Sequence, residues 1–239
     1  QYIEAPSLQK KYEGKACSEQ YVLNVMHRVT KILLNLHTQY APPIIHRDIK
    51  PANIFISEYG DFKLGDFGIA RTVENTQGAS TRTGTNSFMA PEVFFNENYN
   101  ATVDIYSLGL VLYRLMNDNR APFLPIYPKP MTFSDQENAQ TRRLKGEDLP
   151  APRNASASMA EVICKAAAFR SEDRYQNAHE MYEALSQVLS GVKNTASSVK
   201  ATDFVRENEV TPSATMQVVS TSNNLYDQMN QPLSADGRG

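Results

Sequence analysis

Two cysteines, Cys17 and Cys164, are all that 239 residues contain, and they share no CxxC spacing. That excludes a disulfide framework and a zinc site; both read as free thiols in a reducing, cytoplasmic setting. An excess of either charge is also missing: 24 Lys and Arg against 26 Asp and Glu leave a net charge of −2. No global basic field exists to capture nucleic acid or an anionic membrane, so any anion must be held by a local site. No run of 18 apolar residues occurs, so no segment of this chain is expected to span a membrane. Neither a signal peptide nor an internal repeat is visible. The chain opens on Gln1 rather than methionine, directly before Tyr2 and Ile3, which reads as a cut inside a domain.

What is present suffices for a core: 41% of residues are hydrophobic. Apolar residues at Tyr21, Val22, Val25, Met26, Val29, Ile32, Leu33 and Leu36 recur in steps of three and four. They predict a helix over 18–39, with Ser18 as N-cap and Pro42 and Pro43 beyond its end. Two strands are expected at 53–57 and 62–64, joined by a turn at 58–61. Residues 66–89 lack a period and predict a long functional loop. The 103–116 segment is apolar nearly all round and predicts a buried helix. Further helices are expected at 133–145, 158–169 and 178–189, the last stopped by Gly191. From 192 to 239 Ser, Thr, Asn and Gln dominate, and this stretch reads as a disordered tail or linker. The fold class is thus mainly α with a small β-hairpin, with residues 1–191 globular. His27, His37 and His179 lie in helices without metal-ligand spacing and read as structural or exposed.

One ordered set of motifs carries the chemistry. His46-Arg47-Asp48-Ile49-Lys50-Pro51-Ala52-Asn53 is followed, 13 residues after Asn53, by Asp66-Phe67-Gly68, then by Gly84-Thr85 and Ala90-Pro91-Glu92. On these residues the chain resembles the eukaryotic-type serine/threonine protein kinases, in particular a bacterial subgroup, over residues 1 to about 190. The stretch from Leu112 to Leu115 and from Asn119 to Pro125 carries the subgroup likeness. The resemblance implies the large lobe of the kinase fold. It also implies transfer of the ATP γ-phosphate to Ser or Thr hydroxyls of proteins, with Mg²⁺ (Mn²⁺ as an alternative) as the metal.

Residue by residue, the resemblance implies that Asp48 accepts the substrate proton, Lys50 offers a point charge to the transferred phosphate, and Asn53 and Asp66 hold the metal. Hard oxygen donors are what Mg²⁺ prefers. Tyr2 and Ile3 match the hinge that holds adenine, Ser7 a ribose contact, and Phe55 the floor under the adenine ring. Lys50 and Thr85 mark a serine/threonine rather than a tyrosine kinase. Arg47 beside Asp48 implies an anionic partner on the activation loop, with Ser80, Thr81 and Thr83 as candidate phosphosites. Structural roles are implied for His46 under Phe67, for Asp104 as a cap on the loop backbone, and for an ion pair between Glu92 and Arg174.

Two family elements do not occur in these 239 residues: a GxGxxG loop and a VAIK-like lysine. The expectation is a kinase large lobe without its small lobe, inactive by itself, with the cleft face at Tyr2, Ile3, Phe55, Leu64 and Phe67 open to solvent. The subgroup likeness adds a parent protein tethered to a membrane through a segment beyond the tail. Two other readings stay open: a non-catalytic kinase-like binding module, and a small-molecule phosphotransferase. The resemblance implies protein substrates and ATP as partners, and the charge balance argues against nucleic acid.

Overall fold

A computed structural model describes residues 5–12, 17–57, 60–66 and 86–198. All of these belong to one compact unit, Glu4–Val199. Tyr2, Ile3, Phe67, Ser80, Thr81, Thr83 and Thr85 lie outside the described residues, as does the chain from 199 onward.

Among the described residues there are seven α-helices and one two-stranded antiparallel sheet. In chain order they are α1 (Leu8–Tyr12), α2 (Glu19–Thr38), β1 (Ile54–Ile56), β2 (Phe62–Leu64), α3 (Pro91–Phe94), α4 (Thr102–Leu115), α5 (Phe133–Leu144), α6 (Ala157–Ala166) and α7 (Ala178–Ser198). Helix α2 starts as its sequence predicts: the Ser18 hydroxyl accepts from the Tyr21 N–H, satisfying one of the orphan donors of the first turn. Val22, Val25, Met26, Val29, Leu33 and Leu36 form its buried stripe, which packs along α7. Helix α4 is buried at every position from Thr102 to Tyr113, matching its all-round apolar sequence.

Gly109 sets how closely α4 approaches α6. A Cβ there would lie 2.9 Å from the Ala167 nitrogen and 3.0 Å from the Ala166 carbonyl carbon, both rigid backbone. Gly109→Ala is therefore expected to force the helices apart and cost about 1–3 kcal/mol despite alanine's better helix propensity. Urea unfolding checks this; a stabilised variant would show that the contact yields.

The strands pair with Ile54 opposite Leu64, Phe55 opposite Lys63 and Ile56 opposite Phe62. The hairpin closes on Gly60, whose φ of 81° suits glycine. Its N–H donates to the Ser57 carbonyl at 3.0 Å. Ahead of α1, Ser7 forms a bridge with Phe55, and the Ile56 N–H donates to the Pro6 carbonyl at 3.1 Å.

Two expectations need correction. Gly191 does not stop the last helix, which runs on to Ser198 and crosses the expected boundary at 191/192. Glycine inside a helix costs only about 0.5–1 kcal/mol, too little to break a helix already anchored by buried Ala178, Met181, Leu185 and Val188. Leu64 is not open to solvent either. Only 9% of it is exposed, because it faces Ile54 across the hairpin within the main core. Phe55 is half-buried.

Candidate active site

Asp48, Lys50 and Asn53 come together in the loop that follows α2. Arg47 and Asp66 both adopt left-handed backbone, with φ of 66° and 54°. Such conformations cost non-glycine residues about 1–3 kcal/mol each and persist only where surroundings enforce them. For Arg47 the enforcing group is Asp104, in the first turn of α4 and with a side chain 0% exposed. Its carboxylate accepts from the His46 N–H and the Arg47 N–H, both at 2.8 Å, and from His37 Nε2 at 3.0 Å. Three donors thus compensate a buried charge that would otherwise be costly.

His46 carries the tie onward. Burial pushes its imidazole below the usual range, against the pull of nearby carboxylates, so the ring is neutral at neutral pH. Its Nδ1 accepts from the Asp48 N–H at 3.3 Å, and its Nε2 donates to the Gly65 carbonyl at 3.1 Å. One ring therefore locks the residue before Asp66 to the backbone of Asp48.

Asp48 is the hub. Its Oδ2 accepts from Lys50 Nζ at 2.8 Å and from Asn53 Nδ2 at 3.0 Å; that same amide donates to the Asp48 carbonyl at 2.8 Å. Asn53 is 3% exposed, and its own carbonyl accepts from the Gly65 N–H at 3.0 Å. Asp48, Lys50 and Asn53 are therefore one connected cluster, and Asp66 follows directly on a residue bonded to both His46 and Asn53. Asp66 is exposed.

This donor set fits a hard divalent cation. Both amide hydrogens of Asn53 are directed at Asp48, which leaves its carbonyl-type oxygen as the ligating end, and Asp66 offers an exposed carboxylate. Among the described residues no group of three or more His, Cys, Asp or Glu forms a metal cage. Two protein oxygens completed by phosphate and water is the arrangement Mg²⁺ favours.

A second layer fixes the segment from Phe88 to Glu92. Arg174, with its side chain 0% exposed, forms a bidentate pair with Glu92: Nη1 to Oε1 at 2.6 Å and Nη2 to Oε2 at 2.8 Å. It also donates to the carbonyls of Ala168, Phe169 and Thr102, and its guanidinium lies 4.6 Å from the centroid of the Tyr106 ring.

His37 is structural, as its helix position suggests, and its partner is Asp104; two further participants, Ser107 and Arg143, carry no motif. The signal for His37 was its place four residues after Leu33, on the buried stripe. Ser107, one turn beyond Asp104, donates to the Phe88 carbonyl at 2.8 Å. Arg143, four residues after the buried Ala139, donates to the Met89 carbonyl. Arg47 is exposed, with its guanidinium 5.6 Å from the centroid of the Tyr99 ring. Ser7 and Phe55 meet through the backbone bridge.

Comparisons with known proteins show which family the chain belongs to. The family model described as protein kinase domain matches residues 1–189. Serine/threonine-protein kinase PknB of Mycolicibacterium smegmatis is 34% identical over 165 residues, covering 66% of this chain and 25% of that protein. PknB of Mycobacterium tuberculosis is 37% identical over 153 residues, covering 62% and 23%. Serine/threonine-protein kinase Nek4 of Mus musculus is 31% identical over 166 residues, covering 69% and 19%. The chain thus spans a quarter or less of the length of these relatives. Among the described residues no helix is long and apolar enough to cross a membrane. With a family model over most of its length, and similar proteins that are serine/threonine kinases of bacteria and of a mammal, the chain belongs to the protein kinase family.

Proposed function

We propose that this chain provides the catalytic-loop half of a protein serine/threonine kinase, which transfers the γ-phosphate of ATP to Ser or Thr hydroxyls of proteins. The observation that carries this reading is the convergence of Lys50 Nζ and Asn53 Nδ2 on one oxygen of Asp48. That convergence fixes the position of the carboxylate in the loop. Asp48 orients the substrate hydroxyl and accepts its proton as the oxygen attacks phosphorus. Lys50 balances the carboxylate before the reaction and lies close enough to face the phosphoryl oxygens during it. Asn53 and Asp66 hold Mg²⁺, whose contribution when bound is to neutralise phosphate charge. The half-buried Phe55 lies under the adenine, and Ser7, bridged to it, reaches the ribose. A phosphate on Thr81 or Thr83 is the proposed partner of Arg47, drawing its guanidinium from Tyr99.

These 239 residues contain neither a glycine-rich loop nor a VAIK-like lysine, so turnover is expected only where such elements are supplied. The test uses the complete protein that carries this chain, with ATP, Mg²⁺ and an array of synthetic peptides, each bearing a single Ser, Thr or Tyr. Phosphate on Ser and Thr peptides alone is the expected result. Phosphotyrosine would overturn the substrate class. Partner binding that persists without ATP and without transfer would favour the binding-module reading.

A further inference from the structure

Helix α5 is largely solvent-exposed, and its buried residues are Ala139 and Arg143. Arg143 is 5% exposed. Its Nη1 donates to the Met89 carbonyl at 2.9 Å and to the Tyr106 hydroxyl at 2.6 Å, and its guanidinium lies 5.7 Å from the centroid of the Tyr106 ring. Burying a guanidinium is costly, and an apolar chain of similar length would fill the same space with less desolvation. The donors are therefore what this position supplies, and one of them holds the main chain of Met89.

The location of that main chain gives the contact its meaning. Asp104 and Ser107 sit one turn apart on α4, roughly 4.5 Å along its axis. Asp104 holds the N–H groups of His46 and Arg47, whereas Ser107 holds the carbonyl of Phe88. One turn of one buried helix thus sets the 46–48 loop and the 88–89 segment side by side. A polypeptide presenting a hydroxyl to Asp48 has to run across residues beside that loop.

We propose that Arg143 is a positioning residue for the polypeptide substrate, acting through the main chain of Phe88 and Met89; this rests on the kinase reading above. Arg143 locks Met89 from below while Ser107 locks Phe88, so the surface that receives the substrate chain is rigid before the substrate arrives. Pre-ordering of this kind improves binding by removing an entropy cost.

The experiment measures the complete protein carrying this chain, as wild type, Arg143→Met, Arg143→Lys and Tyr106→Phe, against its best Ser or Thr peptide and against water as acceptor. Arg143→Met keeps the stem and removes the donors. It is expected to raise the peptide KM about 10-fold, the size of a lost charge-assisted hydrogen bond. The KM for ATP and the rate of ATP hydrolysis should stay within about 2-fold of wild type. Lysine keeps the charge but lacks the fixed fork, so Arg143→Lys should give an intermediate KM. Tyr106→Phe, which frees the guanidinium from its second acceptor, should raise peptide KM by a smaller factor. A folded Arg143→Met variant with wild-type peptide KM overturns the inference. If that variant fails to fold, an unchanged peptide KM in both Arg143→Lys and Tyr106→Phe overturns it instead. A wild-type protein that phosphorylates no Ser or Thr peptide sinks the kinase reading and this inference together, which separates the two kinds of failure.

Discussion

Replacing Asp48 with Asn is expected to lower phosphoryl transfer by about 10²- to 10⁴-fold, the usual contribution of a positioned general base. The amide has nearly the shape of the carboxylate but accepts no proton at neutral pH. It also removes the negative charge opposite Lys50 Nζ, now 2.8 Å away, leaving that ammonium to compete for phosphate in the ground state. The fold should survive, because the groups that hold the loop (Asp104, His37 and the His46 ring) are untouched. Steady-state rates in the complete protein, with Mg-ATP affinity measured separately, check the point: turnover should collapse while affinity stays near wild type. Asp66→Ala should abolish turnover by another route, through loss of the Mg²⁺ carboxylate, and its defect should include weaker Mg-ATP binding. Turnover within a few-fold of wild type in Asp48→Asn would remove Asp48 from the proposed chemistry.

The largest loss of stability is expected for Arg174→Ala. The guanidinium is fully buried and makes two bonds to Glu92 and three more to backbone carbonyls. Removing one member of such a pair leaves the other's charge uncompensated and costs about 3–5 kcal/mol. Glu92→Ala should cost a similar amount, since it strands a guanidinium that has no route to water. The pair as a whole is a different matter. Arg174→Met combined with Glu92→Leu removes both charges, and should recover most of the loss in either single variant. Urea unfolding of the four proteins gives the coupling. Single variants that lose less than about 1 kcal/mol would place the pair among exposed ion pairs of little consequence.

Asp48 lies in a motif that its spacing picks out, whereas the pairing of Arg174 with Glu92 came from the family resemblance. The His46-to-Asn53 string, Asp66 and the Ala90-Pro91-Glu92 triplet were legible because a short loop allows few arrangements of the side chains within it. Helices α2 and α4 were legible because burial on one face, or on all faces, is written in the local period. Gly191 was misread on the same local logic. A glycine after an apolar stripe is a common stop, but the cost of keeping it helical is below what the anchored turns before it supply.

What the chain order left undecided are contacts between residues far apart in sequence. The His46 N–H meets Asp104 across 58 positions, Arg143 meets the Met89 carbonyl across 54, and Arg174 meets Glu92 across 82. For Arg174 and Asp104, family resemblance supplied the pairing in place of any local signal; for Arg143 and His37 nothing did. A polar residue on a helix is read by default as solvent-facing, and only the packed neighbours decide otherwise. The sequence by itself determined the five longer helices and the hairpin, but not the short helices α1 and α3. The tertiary structure alone decided that Arg47 takes a left-handed turn, that Leu64 is covered, and that two buried arginines flank Tyr106. The physical reason is that periodicity and turn chemistry act over a few residues, whereas desolvation of a charge depends on everything that closes around it.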